Sequence, residues 1–273
     1  MSLLVARNLR KDYGGVRAVA DISFAVEAGE MVALIGPNGA GKSTCFNLLN
    51  GQVLPDSGQV LLGGVDVTGW RPRDVWHLGV GRSFQIAATF ASMTVRENVQ
   101  VALLAVQGMV WRFLRPLAAL GGDATEALLV QVGLKDRADL PCAALAYGDL
   151  KRLELALALA NEPRLLLMDE PTAGMPQADR RALMALVHSL ARLRNCAVLF
   201  TEHDMDVVFS AADRILVMDR GALIAEGDAA AIRANPQVQA VYLGEAVERD
   251  GAGPAPDAAN PPDAPLDSPQ SRN

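Results

Sequence analysis

One early segment combines glycines, a lysine and hydroxyl side chains at a spacing suited to binding phosphate. Its residues are Gly36, Pro37, Asn38, Gly39, Ala40, Gly41, Lys42, Ser43 and Thr44. The glycines let backbone N–H groups curl around phosphate oxygens, because no Cβ atom obstructs the approach. Lys42 can reach the β- and γ-phosphates, and the Ser43 hydroxyl can hold Mg²⁺. The segment therefore predicts a phosphate-binding loop for a nucleoside triphosphate.

The residues on either side of this loop have the composition that such a site needs. Met31 to Ile35 is a short apolar run, which predicts a strand leading into the loop. Ser43 to Leu49 has helical composition. A helix that begins at the loop aims its N-terminus at the bound anion.

A second apolar run, Leu165 to Met168, ends in two acidic residues. A continuous run of this length is typical of a strand buried on both faces. Asp169 can join the Mg²⁺ shell at the end of such a strand, and Glu170 can act as a general base toward an attacking water. Two adjacent acids on a surface loop would serve only solvation, but their position after a buried strand favours catalysis.

A third apolar run, Ala197 to Phe200, is followed by Thr201, Glu202 and His203. His203 would then lie just beyond the strand, where its ring could reach the γ-phosphate. A lone histidine is more often structural. Its place at a strand end beside the predicted phosphate site favours the functional interpretation.

The order of these elements predicts the fold class. Strands alternate with helices such as 149–160 and 177–194, and a hairpin is predicted over 214–227. This pattern indicates an α/β core with a mostly parallel sheet. A small β unit, including a strand pair over 59–67, precedes the core, and a helical insert over about 86–160 interrupts it.

Charge and composition limit the partners and the extent of the folded body. The net charge of −6 argues against a nucleic-acid-binding protein. Residues 246–273 are rich in proline, alanine, glycine and aspartate, so they cannot bury enough surface to order themselves. We expect one folded domain over 1–245 and a disordered tail after it.

Two further features allow more than one interpretation. Cys45 follows the phosphate loop, where it could be a reactive thiol or an inert, packed one. The stretch Val99 to Leu120 is unusually apolar, but Arg112, Arg115 and Pro116 prevent an uninterrupted membrane span. It could be a core helix or, through Met109, Trp111 and Phe113, a docking surface for a hydrophobic partner.

Four more segments resemble the motifs of the ATP-binding subunits of ABC transporters, in the same order and spacing. They are Tyr13, Ser83 to Gln85, Leu145 to Asp149, and Thr201 to Asp204. The resemblance covers about residues 2–245 and implies the P-loop NTPase fold of an ABC nucleotide-binding domain. It also implies that Tyr13 stacks on adenine and that Gln85 contacts Mg²⁺ and the attacking water.

The segment after Leu145 is similar to a variant signature found in the LivG-type subunits of branched-chain amino acid importers. Compared with the common signature, Ala146 replaces serine, Tyr147 replaces a glycine and Asp149 replaces glutamine. Gly148 and the following helix N-terminus remain available to an anion. Pro176 stands where an aspartate is usual, so weaker or asymmetric turnover is implied rather than loss of activity.

The resemblance implies Mg²⁺-dependent hydrolysis of ATP by Lys42, Glu170 and His203, with Ser43, Gln85 and Asp169 around the metal. Two ATP-binding subunits would pair head to tail, each presenting Ala146, Tyr147, Gly148 and Asp149 to the partner's ATP. The implied partners are permease subunits and, indirectly, a periplasmic solute-binding protein, with the chain peripheral on the cytoplasmic face of the inner membrane.

The sequence leaves three alternatives to this importer subunit. A soluble ABC ATPase acting on nucleic acid or ribosomes usually has two cassettes or long coiled-coil inserts, and this sequence shows neither. The lipopolysaccharide-export ATPase shares the ending of residues 241–245 but has the ordinary signature. A regulatory sensor that binds nucleotide without hydrolysing it is the third alternative. The presence of Glu170 and His203, the predicted catalytic residues, argues against it.

Overall fold

The computed structural model describes residues 2–83, 89–106 and 122–242. The strands are β1 (Ser2–Tyr13), β2 (Val16–Glu27), β3 (Met31–Ile35), β4 (Ser57–Leu62), β5 (Val65–Asp66), β6 (Val80–Ser83), β7 (Leu165–Asp169), β8 (Ala197–Thr201), β9 (Arg214–Asp219) and β10 (Ala222–Gly227). The helices are α1 (Lys42–Leu49), α2 (Pro72–His77), α3 (Val95–Val106), α4 (Gly122–Gln131), α5 (Tyr147–Leu159), α6 (Gln177–Arg194), α7 (Met205–Ala211) and α8 (Ala229–Ala234).

The main sheet has six strands in the order β10-β9-β3-β8-β7-β6. Strands β9, β3, β8, β7 and β6 run parallel, and only β10 pairs antiparallel, as the second strand of the predicted hairpin. The carboxyl ends of β3, β8 and β7 therefore meet at one edge. In open α/β sheets this edge is where ligands bind.

A second, antiparallel sheet with the order β2-β1-β4-β5 stands beside the main one. It is the small β unit that the sequence predicts before the core. The pairing of β1 with β2 runs over both strands, from Ser2 opposite Glu27 to Tyr13 opposite Val16. The long hairpin thus brings Tyr13 to its tip, next to Gly14 and Gly15.

Each central strand is buried on both faces and divides its side chains between two cores. In β3, Met31, Ala33 and Ile35 pack in the core that contains the larger helices, and Val32 and Leu34 pack in the core shared with the antiparallel sheet and α1. The same alternation holds in β7, β8 and β9. This double burial explains why these strands are continuous apolar runs in the sequence.

The fold class is as predicted, but the insert is less helical than expected. Residues 132–146 contain only short turns of 3₁₀ helix, at Lys135–Arg137 and Cys142–Ala144. The N–H groups of Val95 and Arg96 donate to Leu140 and Ala138 at 3.0 and 2.8 Å, so this segment is tied to the start of α3. Local turn bonds and these two bonds to α3 satisfy part of the backbone there.

Four elements were absent from the sequence prediction: β6, α2, α7 and α8. All four are short, so the alternation of apolar and polar residues in each covers too few positions to be recognised. Gln85, the side chains of Met109, Trp111 and Phe113, and the predicted tail over 246–273 lie outside the described residues. Within the ranges given above, no helix combines the length and the apolar composition required to cross a membrane.

Candidate functional site

The phosphate loop connects β3 to α1, and two of its glycines are required by close backbone approaches. A Cβ atom on Gly36 would lie 2.0 Å from the Met218 carbonyl oxygen, and one on Gly41 would lie 2.1 Å from that of Ala18. Both residues also have positive φ angles, of 150° and 100°. Gly39, at φ 79°, faces open space, so its requirement is conformational only.

The loop is held from outside by the turn between β9 and β10. The Gly221 N–H donates to the Ala40 carbonyl at 2.9 Å, and the Ala20 N–H donates to the Gly221 carbonyl at 2.7 Å. One residue of the hairpin turn thus connects the phosphate loop to β2. The sequence predicts this turn but not its role as a support.

Lys42 begins α1 and is almost fully buried. Its ammonium group donates to the carbonyls of Gly36 at 2.5 Å and Pro37 at 2.9 Å, which keeps the charge within the loop. Ser43 and Thr44 follow in the first turn of the helix, and Ser43 is exposed. The positive end of the α1 dipole therefore lies beside a lysine and a hydroxyl, the combination expected for a phosphate and metal site.

Asp169 and Glu170 lie at the end of β7, and one hydroxyl of β8 contacts both. Thr201 Oγ1 donates to Asp169 Oδ1 at 2.7 Å and accepts from the Glu170 N–H at 3.0 Å. The Thr201 carbonyl also accepts from the Glu170 N–H at 3.2 Å. Glu170 has a left-handed backbone with φ 48°, a strained conformation for a non-glycine residue. The Thr201 contacts hold it there.

His203 lies directly beyond β8, and its Nε2 atom is 2.7 Å from Glu170 Oε1. Both side chains are partly exposed. The next carboxylate, Glu202, is buried and accepts from the Thr172 N–H and hydroxyl at 2.8 and 2.6 Å. Thr172 and Glu202 thus join the segments that carry Glu170 and His203.

Thr172, Thr201 and Glu202 were not assigned roles from the sequence. Thr201 and Glu202 belong to the segment quoted for His203, so their position next to it was the available signal. Thr172 carried no signal, because its partner Glu202 is thirty residues away in the chain.

Arg82, on the edge strand β6, is the basic side chain facing Asp169, with Nη2 3.9 Å from Asp169 Oδ2. Its Nη1 atom donates to Gln52 at 2.6 Å and to Asn47 at 3.2 Å. Burial lowers the pKa of Arg82, and the Asp169 charge opposes that shift. The distance to Asp169 is that of a loose ion pair, so this carboxylate remains available to a metal.

Tyr13 is 47% exposed at the tip of the β1–β2 hairpin. The Lys11 ammonium lies 5.5 Å from the centre of its ring. An exposed aromatic face supported by a cation offers a stacking surface for a nucleobase.

The signature residues lie at the start of α5, on the helical insert. Ala146 is the N-cap and has an extended backbone, and its side chain makes no capping hydrogen bond. Arg137 Nε is 2.9 Å from Asp149 Oδ2, so the acidic substitution in the signature is neutralised by a neighbouring guanidinium. A cavity of about 240 Å³ opens here, lined by Arg137, Ala146, Gly148, Asp149, Arg152, Met175 and Asp179.

The structure therefore gathers the predicted residues into two groups. Lys42, Asp169, Glu170 and His203 stand at the carboxyl edge formed by β3, β7 and β8. The signature residues contact residues 137 and 173–179 instead. Gln85, the remaining predicted metal ligand, lies outside the described residues.

Comparison with known proteins identifies the family of this chain. Residues 19–173 match the ABC transporter family, and residues 222–248 match the family of branched-chain amino acid ATP-binding cassette transporters. The chain is 37% identical over 251 residues to the high-affinity branched-chain amino acid transport ATP-binding protein LivG of Escherichia coli, covering 89% of this chain and 98% of LivG. It is 38% identical over 253 residues to BraF of Pseudomonas aeruginosa, with the same coverage.

Solved structures give the same result for the fold. An ATP-binding cassette of an ABC transporter in its ADP conformation superposes with a TM-score of 0.79 at 28% identity, covering 89% of this chain and 99% of that one. The cbiO1 subunit of the cbiONQ transporter complex of Clostridium perfringens gives 0.74 at 26% identity, covering 92% and 97%. The family match spans more than half of the residues, and the relatives are similar over nearly their whole length. The chain therefore belongs to the ABC transporter family, among its ATP-binding proteins.

Proposed function

We propose that this chain is the ATP-hydrolysing subunit of a membrane importer for branched-chain amino acids or a related small polar solute. The names of LivG and BraF, and the match over residues 222–248, support the solute class. The catalytic role is supported chiefly by the contact of His203 with Glu170. His203 follows β8, which lies next to β3, the strand that leads to the phosphate loop.

In the proposed reaction, water attacks the γ-phosphate of ATP to give ADP and phosphate. Lys42 and the amides of the loop bind the β- and γ-phosphates, and Glu170 accepts the proton of the attacking water. His203 holds the Glu170 carboxylate through the 2.7 Å contact. Its ring would also contact the γ-phosphate of bound ATP. Tyr13 binds the adenine ring.

The residues present fit Mg²⁺. Protein sites for this ion usually combine one or two carboxylates with a hydroxyl and the phosphates of the substrate. Asp169, at the end of β7, and Ser43, in the first turn of α1, are the carboxylate and the hydroxyl that would hold the ion. When bound, Mg²⁺ would neutralise negative charge on the β- and γ-phosphates. Gln85 is proposed as a further ligand.

The signature residues are proposed to act on the ATP of a partner subunit. Gly148 and the N-terminus of α5 present backbone donors, and Arg137 balances the charge of Asp149. Two ATP-binding subunits, identical or different, would thus close head to tail around two nucleotides. This arrangement explains why the signature lies apart from the phosphate loop within one chain.

The segment that follows Gln85 is predicted to form the docking face for a permease, over residues 86–115. Its described part, residues 89–106, borders a large cavity. This cavity, of about 490 Å³, lies between α2, α3, α5 and β6. Phe90, Val101, Ala102 and Ala105 contribute from the predicted face, and Trp76 and Leu157 close the other sides. Val95 and Val99 are fully buried, so α3 is both a core helix and a wall of the cavity. We propose that a permease subunit docks here, which would make the protein peripheral at the membrane.

The deciding experiment is Glu170→Gln. Hydrolysis should fall by about 10²- to 10⁴-fold, the scale for loss of a general base, while ATP binding persists. The matched control is Glu162→Gln, because Glu162 is exposed and has a similar backbone, with φ 44° against 48°. Wild-type turnover by Glu170→Gln would show that the base lies elsewhere.

Docking is tested by Phe90→Glu, since Phe90 is 56% exposed at the cavity. Co-purification with the permease should be lost and ATP affinity of the isolated subunit retained. Leu193→Glu is the control, because Leu193 is also an exposed apolar side chain but lies on α6. Stimulation of the ATPase by co-expressed permease separates the importer from a soluble ATPase, which would need no membrane partner.

A further inference from the structure

Tyr147, one of the departures from the common signature, makes a contact that links the signature to the segment after Glu170. Its hydroxyl donates to the Ala173 carbonyl at 3.0 Å. A Cβ atom placed on Gly174 would lie 3.4 Å from both Cε1 and Oη of Tyr147, so the ring covers this part of the backbone. The side chain therefore packs along residues 173 and 174.

Tyr147 contacts the turn that begins at Glu170, residues 170–174. The Ala173 N–H donates to the Glu170 carbonyl at 3.1 Å and closes the turn. At its other end, Thr201 accepts from the Glu170 N–H. Because Glu170 has a strained left-handed backbone, its position depends on supports at both ends of the turn. Thr201 holds the start of the turn, Glu202 holds its middle through Thr172, and Tyr147 contacts its end at Ala173.

The ring is itself held from within α5. The Lys151 ammonium lies 5.5 Å from the ring centre, within the range of a cation–π contact. Lys151 pairs with Glu154 at 3.1 Å, and both side chains are nearly buried. Burial raises the pKa of Glu154, and Lys151 opposes that shift. A buried ion pair leaves the ammonium little freedom, so the ring has a fixed partner on the side of the helix.

We propose that Tyr147 is a positioning residue for Glu170: its hydroxyl holds the turn at Ala173 and so places the general base. The inference rests on the proposed function, in which Glu170 is that base. It also has a consequence for two subunits. Ala146, Gly148 and Asp149 would still face the partner's ATP, whereas Tyr147 is reassigned to its own site, where it contacts residues 173 and 174. Each subunit's α5 would then connect the two reaction centres.

The variant Tyr147→Phe removes the hydroxyl and keeps the ring over Lys151. We expect kcat to fall about 3- to 10-fold, the effect of one lost hydrogen bond, with KM for ATP and the melting temperature nearly unchanged. A merely structural tyrosine would lower the melting temperature and leave kcat alone. A tyrosine that bound the partner's ATP would raise KM.

A double-mutant cycle with Glu170→Gln decides the route of the effect. If Tyr147 acts through Glu170, adding Tyr147→Phe to Glu170→Gln should change the residual single-turnover rate by less than about 2-fold, because coupled residues are not additive. Equal fold losses in both backgrounds would overturn the positioning role and leave the proposed function intact. A wild-type rate in Glu170→Gln alone would overturn both, so the two failures are distinguishable.

Discussion

The hydroxyl of Thr201 joins the two carboxylates of the proposed site, so Thr201→Val tests whether this contact serves catalysis. Valine has nearly the shape of threonine, and the residue is 1% exposed, so packing is retained. The change removes the donor to Asp169 Oδ1 at 2.7 Å and the acceptor of the Glu170 N–H at 3.0 Å. The Glu170 N–H keeps its bond to the Thr201 carbonyl at 3.2 Å and is not left unpaired.

The expected effect on stability follows from these two bonds. A hydrogen bond to a carboxylate contributes about 1.5–3 kcal/mol and a neutral one about 1 kcal/mol. The added methyl group of valine recovers about 0.8 kcal/mol by burial, which leaves a loss of about 2–3 kcal/mol in the free energy of unfolding. For a domain of this size the melting temperature should fall by about 4–12 °C.

The expected effect on catalysis is larger than that on binding. A loosened Glu170 should lower kcat about 10-fold, equivalent to about 1.4 kcal/mol of transition-state stabilisation, and ATP affinity should stay within about 3-fold. The assays are thermal melting, steady-state phosphate release and equilibrium nucleotide binding. Thr125→Val is the matched control, because Thr125 is fully buried on α4, outside the site. If Thr201→Val loses stability like the control but keeps full kcat, the hydroxyl is structural and the reasoning is refuted.

Three further outcomes are expected. Arg137→Gln should weaken ATP-dependent dimerisation about 2- to 5-fold, the scale of an exposed ion pair. Adding Asp149→Asn should restore dimerisation, measured by analytical ultracentrifugation. If it does not, Arg137 does not act by compensating the charge of Asp149. Burial raises the pKa of the Cys45 thiol to about 12, so at pH 8 the thiol is neutral and native protein should resist alkylation, whereas rapid labelling with loss of ATP binding would contradict this. Truncation after Glu245 should leave the melting temperature and the ATPase rate unchanged, because the composition of residues 246–273 cannot form a core, and a fall of many degrees would show that the tail packs on the domain.

The sequence is informative about this protein where chemistry depends on neighbouring residues. The phosphate loop is a local pattern, so its glycines, Lys42 and Ser43 can be recognised without knowledge of the fold. Apolar runs that end in Asp169 and in Thr201 predict buried strands, and parallel strands place their ends at one edge. The parallel core, the antiparallel unit and the family were therefore predicted correctly.

The supports of the site come from contacts between distant segments, and no local pattern carries them. Gly36 and Gly41 must lack side chains because carbonyls of residues 218 and 18 approach them in space. Arg137 pairs with Asp149, and Tyr147 donates to Ala173. The sequence did not predict these contacts, because the turns between α4 and α5 show no regular periodicity. Spacing along the chain specifies which groups react, whereas the packing of strands and helices specifies which groups hold them, because that packing joins residues whose separation in sequence is arbitrary.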